Sequence, residues 1–200
     1  MNTKYTENTL HSMIRSHEYI VIVDIEHTCT EDGSIPPDER EIIEIGAVLV
    51  ETKSLAVIDE YSSLIRPVRH PKVSEFCTQL TGIKQLELDN AESFPHVFKR
   101  FVNWLSARSN TLIATWGAYD LVQINIDCAF HNLDEFSPTT ALNLKVAFKQ
   151  AQNLKKPVGL KKALEISFQP FSGNHHRGLN DAKNTAKLLP FIFPKLTKLN

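Results

Sequence analysis

The chain has 200 residues, 42% of them hydrophobic and 22% charged, with a formal net charge of −1 at neutral pH. That length suits one domain able to bury a sizeable core, and the composition is that of an ordinary globular protein. The near-neutral balance excludes a global basic field, so a nucleic-acid partner would require a local patch.

The N-terminal stretch "MNTKYTENTLHSMIRSHEY" is polar and has no apolar h-region, which argues against a signal peptide. The longest apolar runs, "YIVIV" and "LLPFIFP", are too short to cross a bilayer. Cys29, Cys77 and Cys128 are odd in number and lack a CxxC spacing, which argues against a disulfide framework or a thiolate zinc site. The expectation is a cytoplasmic protein without membrane association, with residues 1–17 as an arm and 18–200 as one domain.

In chain order, "YIVIVDIE" is a β-branched run expected to form a buried central strand. "CTEDGSIPPDER" reads as an exposed loop. "EIIEIGAVLVET" and "AVIDEYSSLIRP" follow as strands, and Gly46 inside the first predicts a bulge or a close backbone approach. The period then changes. In "SFPHVFKRFVNWLSAR" the residues Phe94, Val97, Phe98, Phe101, Val102 and Leu105 fall at helix spacing, with Ser93 as N-cap. "TLIATW" is a strand and "DLVQINIDCAFHNL" a helix; "NLKVAFKQAQN", "GLKKALEIS" and "NDAKNTAKLL" are three further helical segments. Hairpin strands followed by alternating helices and strands imply an α/β domain with a mixed sheet.

Three carboxylate motifs end these elements. Asp24 and Glu26 stand at i and i+2, so both leave one face of the strand, at the C-terminal end where ligands of open α/β sheets gather. Asp120 follows "TLIATWGAY" at another strand exit, and Asp181 opens the last helix with Asn180 as its expected N-cap. Each acid has an ordinary structural use, as a solvated strand end or a helix-start charge. Together they form an oxygen-only set suited to Mg²⁺ or Mn²⁺ rather than zinc. Two such ions would stabilise an in-line phosphoryl displacement, and a histidine could take the proton from the attacking water.

"VDIEHTC", "EIIEIGAV", "LTGI", "WGAYD" and "HRGLNDAKNTAKL" stand in the order and approximate spacing of the DEDDh 3′–5′ exonucleases, which the chain resembles over about residues 18–192. "FCTQLTGI" is similar to the branch that trims 3′ ends of small RNAs, histone messages and ribosomal RNA. The resemblance implies a ribonuclease H-like fold, a five-stranded mixed sheet flanked by helices. It implies two divalent cations, Mg²⁺ or Mn²⁺, with Asp24 bridging them, Glu26 and Asp181 completing one site, and Asp120 supporting the second. The family's base lies five residues before its last aspartate, which is His176. Gly178 is expected to let the chain turn there, Arg177 to lie near phosphates, and His175 to have no assigned role.

The same resemblance points to single-stranded 3′ ends as partner, RNA favoured over DNA, held by the backbone amides of His27 and Thr28 and by Phe76, Leu80 and Tyr119. Core packing is an equal alternative for Phe76 and Leu80, and Trp116 reads as core. His27 stands where the family usually has a small residue; it could meet a metal, meet the nucleotide, or face away. Lys145, Lys149, Lys155, Lys156, Lys161 and Lys162 lie in a stretch without acids and could track phosphates, although lysines also decorate ordinary helix faces. A monomer or homodimer is expected. The alternatives are an exodeoxyribonuclease, or a non-catalytic nucleic-acid-binding protein on the same fold.

Overall fold

The computed structural model describes residues 7–194. Strands β1 (Tyr19–His27), β2 (Ile42–Glu51), β3 (Val57–Arg66), β4 (Glu92–Ser93), β5 (Thr111–Thr115) and β6 (Ala141–Asn143) form one sheet in the order β4-β3-β2-β1-β5-β6. The sheet is mixed. β1–β2 and β2–β3 are antiparallel, while β3–β4, β1–β5 and β5–β6 are parallel. Six strands stand where five were expected, because β4 and β6 are only two and three residues long.

The helices are α1 (Glu7–Arg15), α2 (Glu75–Thr81), α3 (Gln85–Asp89), α4 (Phe94–Ser106), α5 (Tyr119–Phe130), α6 (Leu144–Ala151), α7 (Leu160–Ile166), α8 (Gly178–Ala186) and α9 (Leu189–Ile192). They cover both faces. Side chains alternate across a strand, so Ile20, Ile22, Val48 and Val50 pack with Leu144, Phe148, Leu164 and Leu189 on one side. Val21, Val23, Ile45 and Ala47 pack with Phe94, Val97, Phe101 and Ile124 on the other. Burial on both faces is why β1 and β2 are near-continuous apolar runs instead of alternating ones.

The structure refines three local expectations. The residues assigned to an arm include α1, whose Leu10 and Ile14 are buried in the main core; an i, i+4 pair suffices to dock it. Residues 1–6 lie outside the described residues. Ser93 is the N-cap of α4, but its hydroxyl meets His96 Nδ1 at 2.9 Å instead of a backbone amide. The N-cap of α8 is Arg177 rather than Asn180. Asn180 lies within the first turn and donates from Nδ2 to the Asn174 carbonyl at 3.1 Å.

Gly46 marks a close approach. A Cβ there would lie 1.9 Å from the Leu179 amide nitrogen and 2.0 Å from the Gly178 carbonyl carbon. A Cβ on Gly178 would meet the Asp24 carbonyl oxygen at 2.8 Å. The two glycines therefore let the start of α8 rest directly on the β1–β2 backbone. Gly178 serves this contact and not the expected turn; the left-handed residue is His176, with φ +60°.

Candidate active site

β1 delivers Asp24 and Glu26 to one face, and the seating of α8 on the hairpin brings Asp181 over them. Each of the three offers a carboxylate oxygen within 4.8 Å of the others. Glu26 and Asp181 are buried. Withdrawal from water pushes all three carboxyls up, and neighbouring carboxylates add to it. Glu26 rises to about 9, from burial first and then from Asp181 and Glu44. Asp181 rises to about 6, again mainly from burial. Asp24 is raised well above the ordinary range by desolvation, then by Asp120, Asp181, Glu26 and Glu44.

Asp120, in the first turn of α5, is the largest single charged influence on Asp24. Its Oδ1 accepts from the Ile25 amide at 3.3 Å, which ties it to β1 beside the cluster, and burial raises its carboxyl to about 6. Asp181 Oδ1 is buried and has no hydrogen-bond partner among the described residues. An oxygen-only set of repelling carboxylates with an orphaned buried oxygen fits a hard divalent cation, which would relieve both costs.

His175 and His176 stand side by side above Asp181. His175 Nδ1 meets Asp181 Oδ2 at 2.8 Å, and the backbone amide of His176 donates to the same oxygen at 3.2 Å. The two imidazoles stack with ring centroids 3.9 Å apart. Burial lowers the pKa of both rings, with His175 adding to the effect at His176, which favours the neutral, proton-accepting imidazole. His175, expected to be uninvolved, touches Asp181 directly.

Around this centre the substrate-side expectations separate. Ser74 caps α2 by accepting from the Cys77 amide, and Gly82, at φ 72°, ends it. The helix so framed carries Phe76 and Leu80 on one face; they are 36% and 37% exposed and available to a ligand, not core. Tyr119 is exposed as well, with its hydroxyl donating to Gln123 Oε1 at 2.8 Å and its ring edge-on to His27 at 5.3 Å. His27 Nδ1 is 2.9 Å from the Thr28 carbonyl oxygen, and its ring belongs to neither of the two groups of metal-ligating atoms among the described residues, Asp24–Glu26–Asp181 and His175–His176–Asp181. Thr28 differs from expectation. It is buried, its amide donates to the Glu41 carbonyl at 2.8 Å, and its hydroxyl accepts from the Glu41 amide at 3.0 Å. That amide is committed to the fold and cannot meet a sugar. Trp116 is buried as expected.

A cavity of about 580 Å³ opens beside the histidines, lined by Leu80, Lys161, Phe171, His175 and His176 among others. A larger one of about 620 Å³, between α4 and residues 133–138, contains none of the clustered carboxylates. The lysines divide: Lys161 influences both histidines and Asp181, Lys145 influences Asp120, and Lys162 pairs with Glu165 at 2.8 Å. The residue that sequence reasoning missed is Glu44. It lies opposite Glu26 in the hairpin, 1% exposed, and accepts a two-pronged bond from Arg177. Strand alternation in "EIIEIG" marks its face, but its partner is 133 positions away. Arg177 is thereby directed at Glu44 rather than at a phosphate path.

The exonuclease family model (RNase T type) matches residues 21–189. The chain is 32% identical over 181 residues to human 3′–5′ exoribonuclease 1, covering 86% of this chain and 51% of that protein. It is 30% identical over 175 residues to KapD of Bacillus subtilis (strain 168), named a probable 3′–5′ exonuclease, covering 86% and 83%. Among solved structures, the nuclease domain of 3′hExo, a DEDDh family member bound to rAMP, superposes with TM-score 0.77 at 29% identity, covering 90% of this chain and 92% of that one. A 3′-exonuclease solved in a study of histone mRNA stem-loop recognition gives 0.81 at 29% identity, covering 92% and 65%. The chain spans about half the length of human 3′–5′ exoribonuclease 1 and its rat counterpart. With its mixed sheet, carboxylate cluster and histidine loop, the chain belongs to the exonuclease family and has the ribonuclease H-like fold.

Proposed function

We propose that this chain is a divalent-metal-dependent 3′–5′ exoribonuclease acting on single-stranded 3′ ends. The observation that carries the reading is the convergence of Asp24, Glu26 and Asp181, with a buried orphan oxygen, beneath a neutral histidine pair. Family membership supports the reaction class. The names of the relatives, exoribonucleases acting at 3′ ends, support RNA over DNA.

Asp24, Glu26 and Asp181 would hold Mg²⁺ or Mn²⁺, with Asp120 supporting a second ion. When bound, two such ions neutralise charge on a phosphodiester as it is displaced in line. The protein's own groups do the rest. His176 accepts the proton of the attacking water, and its lowered pKa keeps the ring in the accepting form at neutral pH. Phe76, Leu80 and Tyr119 offer apolar and aromatic surface to the terminal bases without reading their sequence. Lys161 and Lys145 flank the carboxylates and draw the phosphates in. Among the described residues no helix is long and apolar enough to cross a membrane. Three unpaired thiols agree with a reducing, cytoplasmic setting, and we place a monomer or homodimer there.

The test is digestion of a 3′-labelled single-stranded oligoribonucleotide and its deoxyribose counterpart in Mg²⁺ or Mn²⁺, beside Asp24→Ala. Stepwise shortening of the RNA from its 3′ end, lost in the variant, is expected. Preference for the deoxyribose strand would move the reading to a deoxyribonuclease. Retention of both strands intact, with binding preserved, would make the chain a binding protein.

A further inference from the structure

Glu44 is the most buried of the carboxylates near the cluster, yet it belongs to neither group of metal-ligating atoms among the described residues. The hydrogen bonds its carboxylate accepts come from the segment that carries the histidines. Arg177 donates from Nε to Oε2 at 3.0 Å and from Nη2 to Oε1 at 3.3 Å, and the Gly178 amide donates to Oε2 at 3.1 Å. A guanidinium fork on a carboxylate fixes orientation as well as distance. The residue just before the fork is His176, at φ +60°, in the left-handed region that few non-glycine residues enter. On its other side, His176 is held by its own amide on Asp181 Oδ2.

We propose that Glu44 and Arg177 are a positioning pair for the reaction: the fork pins the histidine loop to β2 and sets the His176 imidazole against the carboxylate cluster. The proposal rests on the reading of His176 as the base. Its charge logic is specific. A bare Glu44 beside Glu26 would compete for cations with Asp24, Glu26 and Asp181; paired with Arg177 it is neutralised and committed to geometry. Glu44 is in neither group of metal-ligating atoms among the described residues, and the role assigned to the pair is the placement of His176.

The competing account is a buried ion pair that merely stabilises the fold, and four full-length variants separate the two. Arg177→Met is expected to lower kcat by about 10²-fold, the scale of a base displaced by roughly an ångström. KM should stay within about threefold, since substrate contacts remain. It should also lower the melting temperature, because Glu44 is left charged and buried. The double variant Glu44→Gln/Arg177→Met removes that lone charge, so thermal stability returns while kcat stays low. If kcat recovers together with stability, the pair is structural and the proposal is overturned. In a His176→Ala background, Arg177→Met should cost no more than about threefold, because no imidazole is left to misplace. A full additional loss there overturns the proposal while leaving His176 as the base. Wild-type turnover in His176→Ala alone overturns it through its premise, and that result is visible before any Arg177 variant is made.

Discussion

The carboxylate floor and the histidine loop meet at Asp181, yet they are built on different principles. Asp24 and Glu26 are strand residues in a hairpin whose register is fixed by apolar side chains on both faces of the sheet. Their positions follow from the fold, and their cost is electrostatic. The loop around His175 and His176 has one apolar anchor, Phe171, which packs on the main core and lies 5.2 Å from the His175 ring. Its other ties are polar, among them an amide on Asp181 and a guanidinium on Glu44, and its backbone is left-handed at Gly173 and His176. Its cost is conformational. A floor stabilised by packing can tolerate repelling charges that wait for a cation, whereas a loop tied by directional polar bonds fixes the orientation of the rings it carries.

The sharpest way to break this contrast is Asp24→Asn. Turnover should fall on the order of 10⁴-fold, as when one member of a catalytic set is removed. Yet the metal-free protein should melt at a higher temperature, because one repelling charge has left the floor. A lower melting temperature would mean that the carboxylates are not in conflict. His176→Ala should cost about 10² to 10⁴ in turnover, with Mn²⁺ affinity by calorimetry close to that of the wild type. Loss of metal affinity there would merge the two regions into one.

A third test uses pH. The folded-state pKa of Glu26 lies above its unfolded value, at about 9, so the metal-free fold binds a proton there that the unfolded chain has released. That contribution to stability is complete below the unfolded pKa and is lost as pH rises towards 9. Melting of the metal-free protein should therefore fall between pH 6 and pH 9, and the rise produced by Mg²⁺ should be larger at the alkaline end. A rise independent of pH would exclude Glu26 as the responsible group. The smallest effect belongs to His175→Ala. One hydrogen bond to Asp181 is lost, and turnover should change by less than about tenfold; an effect equal to that of His176→Ala would exchange their roles.

The floor was largely legible from the residues, because i, i+2 spacing on a strand dictates a common face and a β-branched run dictates the strand. Gly46 announced a close approach, and the structure supplies its partner, Gly178. The loop was less legible, for physical reasons. The turn was expected at Gly178, but that glycine is consumed by its contact with β1 and β2, and the left-handed residue is His176. Arg177 could have faced a phosphate as readily as a carboxylate; only the long-range seating of α8 on β2 decides it. Thr28 was offered by the family resemblance alone, and the loop returns to pair with its amide through Glu41. α1 escaped notice because three apolar residues, Leu10, Met13 and Ile14, in a polar stretch are a weak signal until a core is present to receive them.

The seating of the α8 start on the first hairpin also has a temporal consequence. Gly178 and Glu44 are separated by 134 positions, so contacts of this kind form late and close a large loop when they do. During synthesis the hairpin can fold long before α8 leaves the ribosome, but the third carboxylate and both imidazoles are then still missing. A chain that stops before α8 lacks Asp181, so the candidate site is complete only once that helix has been made.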